Sequence, residues 1–218
     1  MFSPYKFILQ NQTLWLSPER CIFWEEERAL ILSDLHFGKS GHFRKSGIAV
    51  PQSVFKEDLQ RLFAQIQFFK PDLLLIVGDM FHSHANKEVE LFMKWRKDIP
   101  GLPMHLIKGN HDILAKKFYS SSDIEVTNGK LAIKDFCFTH DISLSCGDNG
   151  MFTFSGHVHP GIKFNGIAKQ ELSFPCFYFS KDYAILPAFG HFTGLYKIKP
   201  KRTDKVFALM ENKVVKIQ

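Results

Sequence analysis

The hydrophobic positions of this chain fall into short runs, several of which break on polar residues of one chemical kind. Leu30-Ile31-Leu32-Ser33 stops at Asp34 and His36, and Leu73-Leu74-Leu75-Ile76-Val77 stops at Gly78-Asp79. Met104-His105-Leu106-Ile107 runs into Lys108-Gly109-Asn110-His111-Asp112. Phe136-Cys137-Phe138-Thr139 ends at His140, and Phe152-Thr153-Phe154-Ser155 at Gly156-His157-Val158-His159. A short apolar run that ends in turn residues reads as a buried strand. Five such strands are therefore expected to deliver their polar ends to one rim, the carboxyl edge where open α/β sheets bind ligands.

Between and around these runs the periodicity changes. Residues 5 to 32 alternate apolar segments with Asn11-Gln12, Ser17-Pro18 and the acidic Glu25-Glu26-Glu27, the pattern of an antiparallel meander leading into the first ligand strand. Pro51 opens a segment in which Phe55, Leu59, Leu62 and Ile66 recur at helical spacing, a core-facing stripe. A second helix is expected over Lys87 to Lys97, with Val89, Phe92 and Met93 inward. Strand, helix, strand, helix, strand predicts a parallel unit. From Ile124 onward short apolar runs are separated by Asn128-Gly129, Gly147-Asp148-Asn149-Gly150 and Asn165-Gly166, which predicts a second, largely antiparallel sheet. Val206 to Met210 and Val214 to Ile217 read as a closing hairpin.

The 218 residues fit one domain, residues 1–218, with enough chain for a substantial core. A hydrophobic share of 45% and a charged share of 23% exclude a disordered chain as the default. The formal charge of +6 favours a polyanionic partner, though charge bears on association rather than on fold. The opening is broken by Ser3-Pro4, Lys6 and Asn11-Gln12, unlike a signal peptide, and no run reaches transmembrane length, so a cytoplasmic protein with no membrane association is expected. Cys21, Cys137, Cys146 and Cys176 have no paired spacing and are expected to be reduced and structural.

The strand-end residues decide the chemistry. Asp34, His36, Asp79, Asn110, His140, His157 and His159 offer oxygen and nitrogen donors and no thiolate, a set suited to a pair of divalent ions such as Mn, Fe or Zn. Gly38-Lys39-Ser40 is too short of glycine for a nucleotide-binding loop. The segment Gly38 to Gly47 is instead a surface loop or a lid that brings Lys39, Arg44 and Lys45 to substrate phosphates. His105 is expected to be structural, His82 and His84 to be surface or supporting residues, and His42 and His191 to lie in loops.

Asp34-x-His36-x-Gly38, Gly78-Asp79, Gly109-Asn110-His111-Asp112, His140 and Gly156-His157-x-His159 resemble, in order, the five motifs of the calcineurin-like metallophosphoesterases. Within that family the loop from Leu35 to Val50 and the segment Leu186-Pro187-Ala188-Phe189-Gly190 resemble the bacterial ligase-associated DNA-damage-response endonucleases. The resemblance implies an α/β fold, a β-sandwich of two mixed sheets flanked by helices, with a dimetal site at the carboxyl ends of strands. It implies that Asp34, His36 and His159 bind one metal, that Asn110, His140 and His157 bind the other, and that Asp79 bridges them, with manganese the first expectation. His111 then resembles the family's catalytic histidine, protonating the leaving oxygen, with Asp112 fixing its tautomer.

Two positions depart from the pattern. His82 stands where some relatives carry an acidic residue, and Thr139-His140-Asp141 replaces a Gly-His seen in many members. The implied activity is hydrolysis of phosphodiester bonds, with DNA as substrate and a repair ligase and helicase as partners. The alternatives are a phosphatase of small nucleotides or phosphomonoesters and a non-catalytic metal-binding scaffold.

Overall fold

The computed structural model describes residues 3–218 except 46, 48–50, 52, 83–85, 145–149 and 166–170, and not the side chains of 42, 44, 45 and 165. The chain opens with β1 (Tyr5–Leu9), β2 (Gln12–Leu16), β3 (Ile22–Trp24) and β4 (Ala29–Leu32), each antiparallel to the one before. Helices α1 (Lys39–Lys45) and α2 (Ser53–Phe69) lead to β5 (Leu73–Val77), and α3 (Lys87–Arg96) leads to β6 (Met104–Ile107). After α4 (Lys116–Ser121), β7 (Ile124–Thr127) completes a seven-stranded sheet ordered as in the sequence, with β4 to β7 parallel.

The strands β8 (Lys130–Ile133), β9 (Phe136–Thr139), β10 (Phe152–Ser155), β11 (Pro160–Asn165), β12 (Glu171–Phe179), β13 (Tyr183–Ile185) and β14 (Tyr196–Lys197) form the second sheet. Its order is β14-β11-β12-β13-β10-β9-β8. The hairpin of β15 (Lys205–Met210) and β16 (Lys213–Lys216) joins through β12. Most of its pairings are antiparallel, as expected, and it is mixed because β10 runs parallel to both β9 and β13 and β14 runs parallel to β11. Two ligand-bearing strands can end on the same rim as neighbours only if they run the same way.

The unbroken apolar runs of β4 and β5 follow from burial on both faces. Leu30, Leu32, Leu74 and Ile76 face a core shared with Phe55, Leu59 and Leu62 of α2 and Val89 and Phe92 of α3. Ile31, Leu75 and Val77 face the opposite way, onto Phe136, Phe138, Phe154 and Phe179 of the second sheet. The layers are therefore helices, sheet, sheet. Helix α2 stops where Lys70 takes φ 48° and donates to Ile66 O, just before Pro71.

The segment expected as a surface loop or lid holds α1. Asn86 caps α3 through the Glu88 and Val89 N–H groups while its amide donates to Gly38 O at 2.9 Å. Ser40 Oγ donates to the buried Glu88 at 2.5 Å. These contacts with α3 give the turn a tertiary anchor that local sequence does not advertise.

Cys21 and Cys176 are free and buried, whereas Cys137 is disulfide-bonded, which corrects the expectation of four reduced thiols.

Candidate metal centre

The carboxyl ends of β4, β5 and β6 lie side by side in one sheet and those of β9 and β10 in the other, and the two rims are sewn together by backbone bonds. Asp34 N donates to Gly78 O at 3.0 Å and His36 N to Asp79 O at 2.9 Å. Leu186 N donates to Ser155 O within the second sheet, and Phe189 N, three residues on, crosses to Ser33 O beyond β4 of the first, both at 2.8 Å. The seam brings Asp34, His36 and His159 into one group and Asp79, His140 and His157 into another, with the ligand atoms of each group within 4.8 Å of one another.

The backbone there is bent in a way that side chains resist. Asp34, His36, Asp79, His157 and His159 all have φ between 49° and 67°, the left-handed region that costs a non-glycine residue of order 1–3 kcal/mol. Glycines clear the space. A Cβ on Gly78, itself at φ 81°, would sit 2.1 Å from His140 Nδ1, and one on Gly109 would sit 2.3 Å from Asp79 Oδ1.

The donor atoms confront one another in a manner that suits cations. His36 Nε2 lies 3.4 Å from His159 Nε2, and His157 Nδ1 lies 3.2 Å from His140 Nε2. His159 Nε2 is 3.1 Å from Asp34 Oδ1. His140 Nδ1 is 3.2 Å from Val77 O, so its N–H there turns Nε2 toward the site. Asp79 stands between the groups: Oδ2 is 3.4 Å from His140 Nε2 and 4.0 Å from both His36 and His111 Nε2. Converging imidazole nitrogens and carboxylate oxygens without sulfur fit divalent ions.

Electrostatics divide the ligands. Burial drives His36 down to about 3, outweighing the attraction of Asp34 and Asp79, so the ring is a neutral donor near pH 7. Burial also opposes charge on His140, yet the hydrogen bond to Asp79 and the charges of Asp34 and Asp79 raise it to about 9. For Asp79 burial acts upward, but the bond from His140, its charge and the His111 N–H hold the carboxyl well below its ordinary range. A proton shared by this pair would have to leave for a cation to bind there.

Asn110 and His111 follow β6 on the exposed lip of the rim. His111 N donates to Asp79 Oδ1 at 2.9 Å, and the ring, with its side chain 48% exposed, lies 4.5 Å from that of His82. Asp112 does not take the expected part. It is fully buried, and its two oxygens accept from Phe81 N and Gly109 N, both at 2.9 Å. Desolvation raises it to about 7 against those bonds, so this carboxyl ties the β5 and β6 loops together instead of orienting the His111 ring.

Lys39, the first residue of α1, is half-buried; burial lowers its pKa against the pull of Asp34 and Asp79. The side chains of Arg44 and Lys45, and of His42, lie outside the described residues, as does all of His84. His105 Nε2 is 2.7 Å from Thr127 Oγ1, away from the rim. His82 is the residue that spacing undervalued: its ring sits 5.5 Å from that of His36 as well as beside His111.

Sequence reading also misses what stands behind the Asp34 turn. Arg20 donates to Ala188 O and Gly190 O, while Arg61 donates to Phe189 O and lies over the Phe189 ring at 4.1 Å. Buried Asp58 accepts from Arg61 at 2.8 Å and meets His191 Nδ1 at 2.8 Å. Gly190 N in turn donates to Asp34 O at 3.1 Å. These partners are separated by up to 170 positions, and no local motif signals them.

The family model for calcineurin-like phosphoesterases matches residues 27–209. No curated protein matches the chain. Among solved structures, the chain is similar to the nuclease MPE of Pseudomonas putida, at 28% identity over 99% of this chain and 100% of that one, with a TM-score of 0.84. More distant are a protein of unknown function from Aquifex aeolicus (20% identity, 60% and 78% covered, TM-score 0.46) and the phosphoesterase YfcE of Escherichia coli (12%, 86% and 96%, 0.43).

Proposed function

This chain belongs to the calcineurin-like phosphoesterase family and is a metal-dependent phosphoesterase, and on that premise we propose that it is a nuclease cutting phosphodiester bonds within DNA. The observation that carries the reading is the likeness to a nuclease over nearly the whole chain, at a TM-score of 0.84. The net charge of +6 supports a polyanionic substrate.

In this reading Asp34, His36 and His159 hold one divalent ion, Asn110, His140 and His157 hold the other, and the Asp79 carboxylate serves both. When bound, such a pair supplies a hydroxide near neutral pH and charge to clamp the phosphate oxygens. Manganese is the proposed occupant. His111, exposed above Asp79, donates a proton to the departing sugar oxygen. Asp112 acts through the backbone, fixing the loop from which His111 projects. Lys39 at the edge of the site, with Arg44 and Lys45 further along α1, neutralises substrate phosphates. Residues 1–218 act as one domain, since both sheets contribute ligands. A cytoplasmic place beside a repair ligase and helicase completes the proposal, on the strength of the subgroup motifs alone.

The test compares metal-free and Mn-reconstituted protein on single-stranded DNA, double-stranded DNA and a mononucleotide. Mn-dependent endonucleolytic cleavage is expected, with His111→Ala lowering turnover on the order of 10²–10⁴-fold at unchanged metal content. Cleavage of the mononucleotide alone would move the substrate to small phosphate esters. An active His111→Ala variant would remove the acid assignment.

A further inference from the structure

The metal ligand His159 is tied to a basic ribbon at the edge of the second sheet. Tyr196 N donates to His159 O at 2.9 Å, β14 then runs parallel to the start of β11, and Ile198 N closes on Gly161 O at 3.0 Å. Along this ribbon Ile198 is turned inward, 9% exposed, against Cys176, Tyr178 and Val206. Lys197 and Lys199 on either side of it are both exposed, as extended-chain alternation requires. Lys201 and Arg202 continue the charge and are also exposed. Tyr196, at the end nearest the metal centre, is 65% exposed.

Two acidic groups close to the ribbon are already engaged. Asp204 is buried, accepting from Tyr178 OH at 2.8 Å and Lys201 N at 2.7 Å. Glu171 is paired with Lys163, and the charge of Lys197 also stabilises its carboxylate. Lysines on an edge strand can serve simply to block pairing with another sheet. That explanation leaves an exposed tyrosine beside a metal ligand without a purpose.

We propose that the ribbon Tyr196–Arg202 seats a nucleic-acid strand entering or leaving the metal centre, its phosphates along Lys197, Lys199, Lys201 and Arg202 and a base against Tyr196. The assignment rests on the nuclease reading and extends it to a binding surface outside the five motifs. Charge complementarity and continuity with the metal centre select a polyanionic strand, and an aromatic ring among cations is the combination that holds one.

The experiment uses the Mn-loaded full chain. Lys197, Lys199, Lys201 and Arg202 are changed together to Gln, and a control changes the exposed Lys56, Lys70, Lys94 and Lys97 of the helical side to Gln, so both variants lose the same charge. Each is assayed on DNA across a salt series and on bis(p-nitrophenyl) phosphate. The ribbon variant is expected to raise KM for DNA about tenfold or more and to flatten the slope of log affinity against log salt by about 3. It should leave metal content and turnover of the small diester unchanged. Tyr196→Ala should raise KM for DNA, and Tyr196→Phe should restore it. Equal behaviour of the ribbon and control variants on DNA would overturn the proposal while leaving the nuclease reading standing. Wild-type protein that hydrolyses the small diester and ignores DNA would remove the nuclease reading itself, and the ribbon's substrate with it.

Discussion

At the scale of single residues, the site is built from conformations that side chains avoid and spaces that only glycine leaves. Gly78 answers both demands, with φ 81° and the His140 ring against the place of its missing Cβ. Gly78→Ala is expected to displace His140, lower bound metal below that of the wild type and cost at least about 1–3 kcal/mol through overpacking alone. Metal analysis and thermal melting check this, and full metal occupancy in the variant would contradict it. Buried thiols give a second residue-level prediction. Burial pushes Cys21 and Cys176 up to about 12, whereas an unfolded thiol titrates near ~8.5. The native state therefore holds more protons between these values, and stability falls as pH rises through that window, by up to roughly 1.4 kcal/mol per pH unit for each thiol. Denaturant unfolding at pH 8 and pH 10 measures the loss, which Cys21→Ser with Cys176→Ala should reduce.

Elements act here through their ends. Asn86 is both the N-cap of α3 and the donor that holds Gly38 O, so a single amide couples a helix start to the turn after His36. Asn86→Ala is expected to cost about 0.5–2 kcal/mol in thermal or denaturant unfolding. Asn86→Asp keeps a capping oxygen and loses only the donor to Gly38, so its stability should fall between the two. An alanine variant as stable as wild type would show that α1 needs no such anchor. The helix stripes at Phe55, Leu59 and Leu62 and at Val89 and Phe92 were visible as periodicity because one face of each helix packs on a sheet. Helix α1 was not, since its anchors are Asn86 and Glu88, far along the chain.

Across the whole molecule, each of the two candidate ligand groups draws on both sheets, so metal occupancy should stabilise the fold as a unit. Chelation of the Mn-loaded protein is expected to lower Tm by roughly 5–10 °C for each ion removed when free metal had stood at about 100 times Kd. A Tm indifferent to chelator would argue that the two ligand groups are not a metal site. The ribbon along Tyr196–Arg202 belongs to this scale as well, because its closeness to His159 is a property of sheet order.

The residues alone determined the strands, their polar ends, the five-motif order and the chemical nature of the donor set. They could do so because hydrophobic periodicity and turn chemistry are local, and because a donor's hardness belongs to its side chain. The tertiary structure decided that β10 runs parallel to β9, that Asp112 binds backbone instead of the His111 ring, and that His82 joins His36 and His111. It alone brought Arg20, Arg61 and Asp58 behind the Asp34 turn and set a basic edge strand beside His159. Each of these depends on which distant segments share a rim, and that is settled by the packing of two sheets on one core, not by any window of sequence.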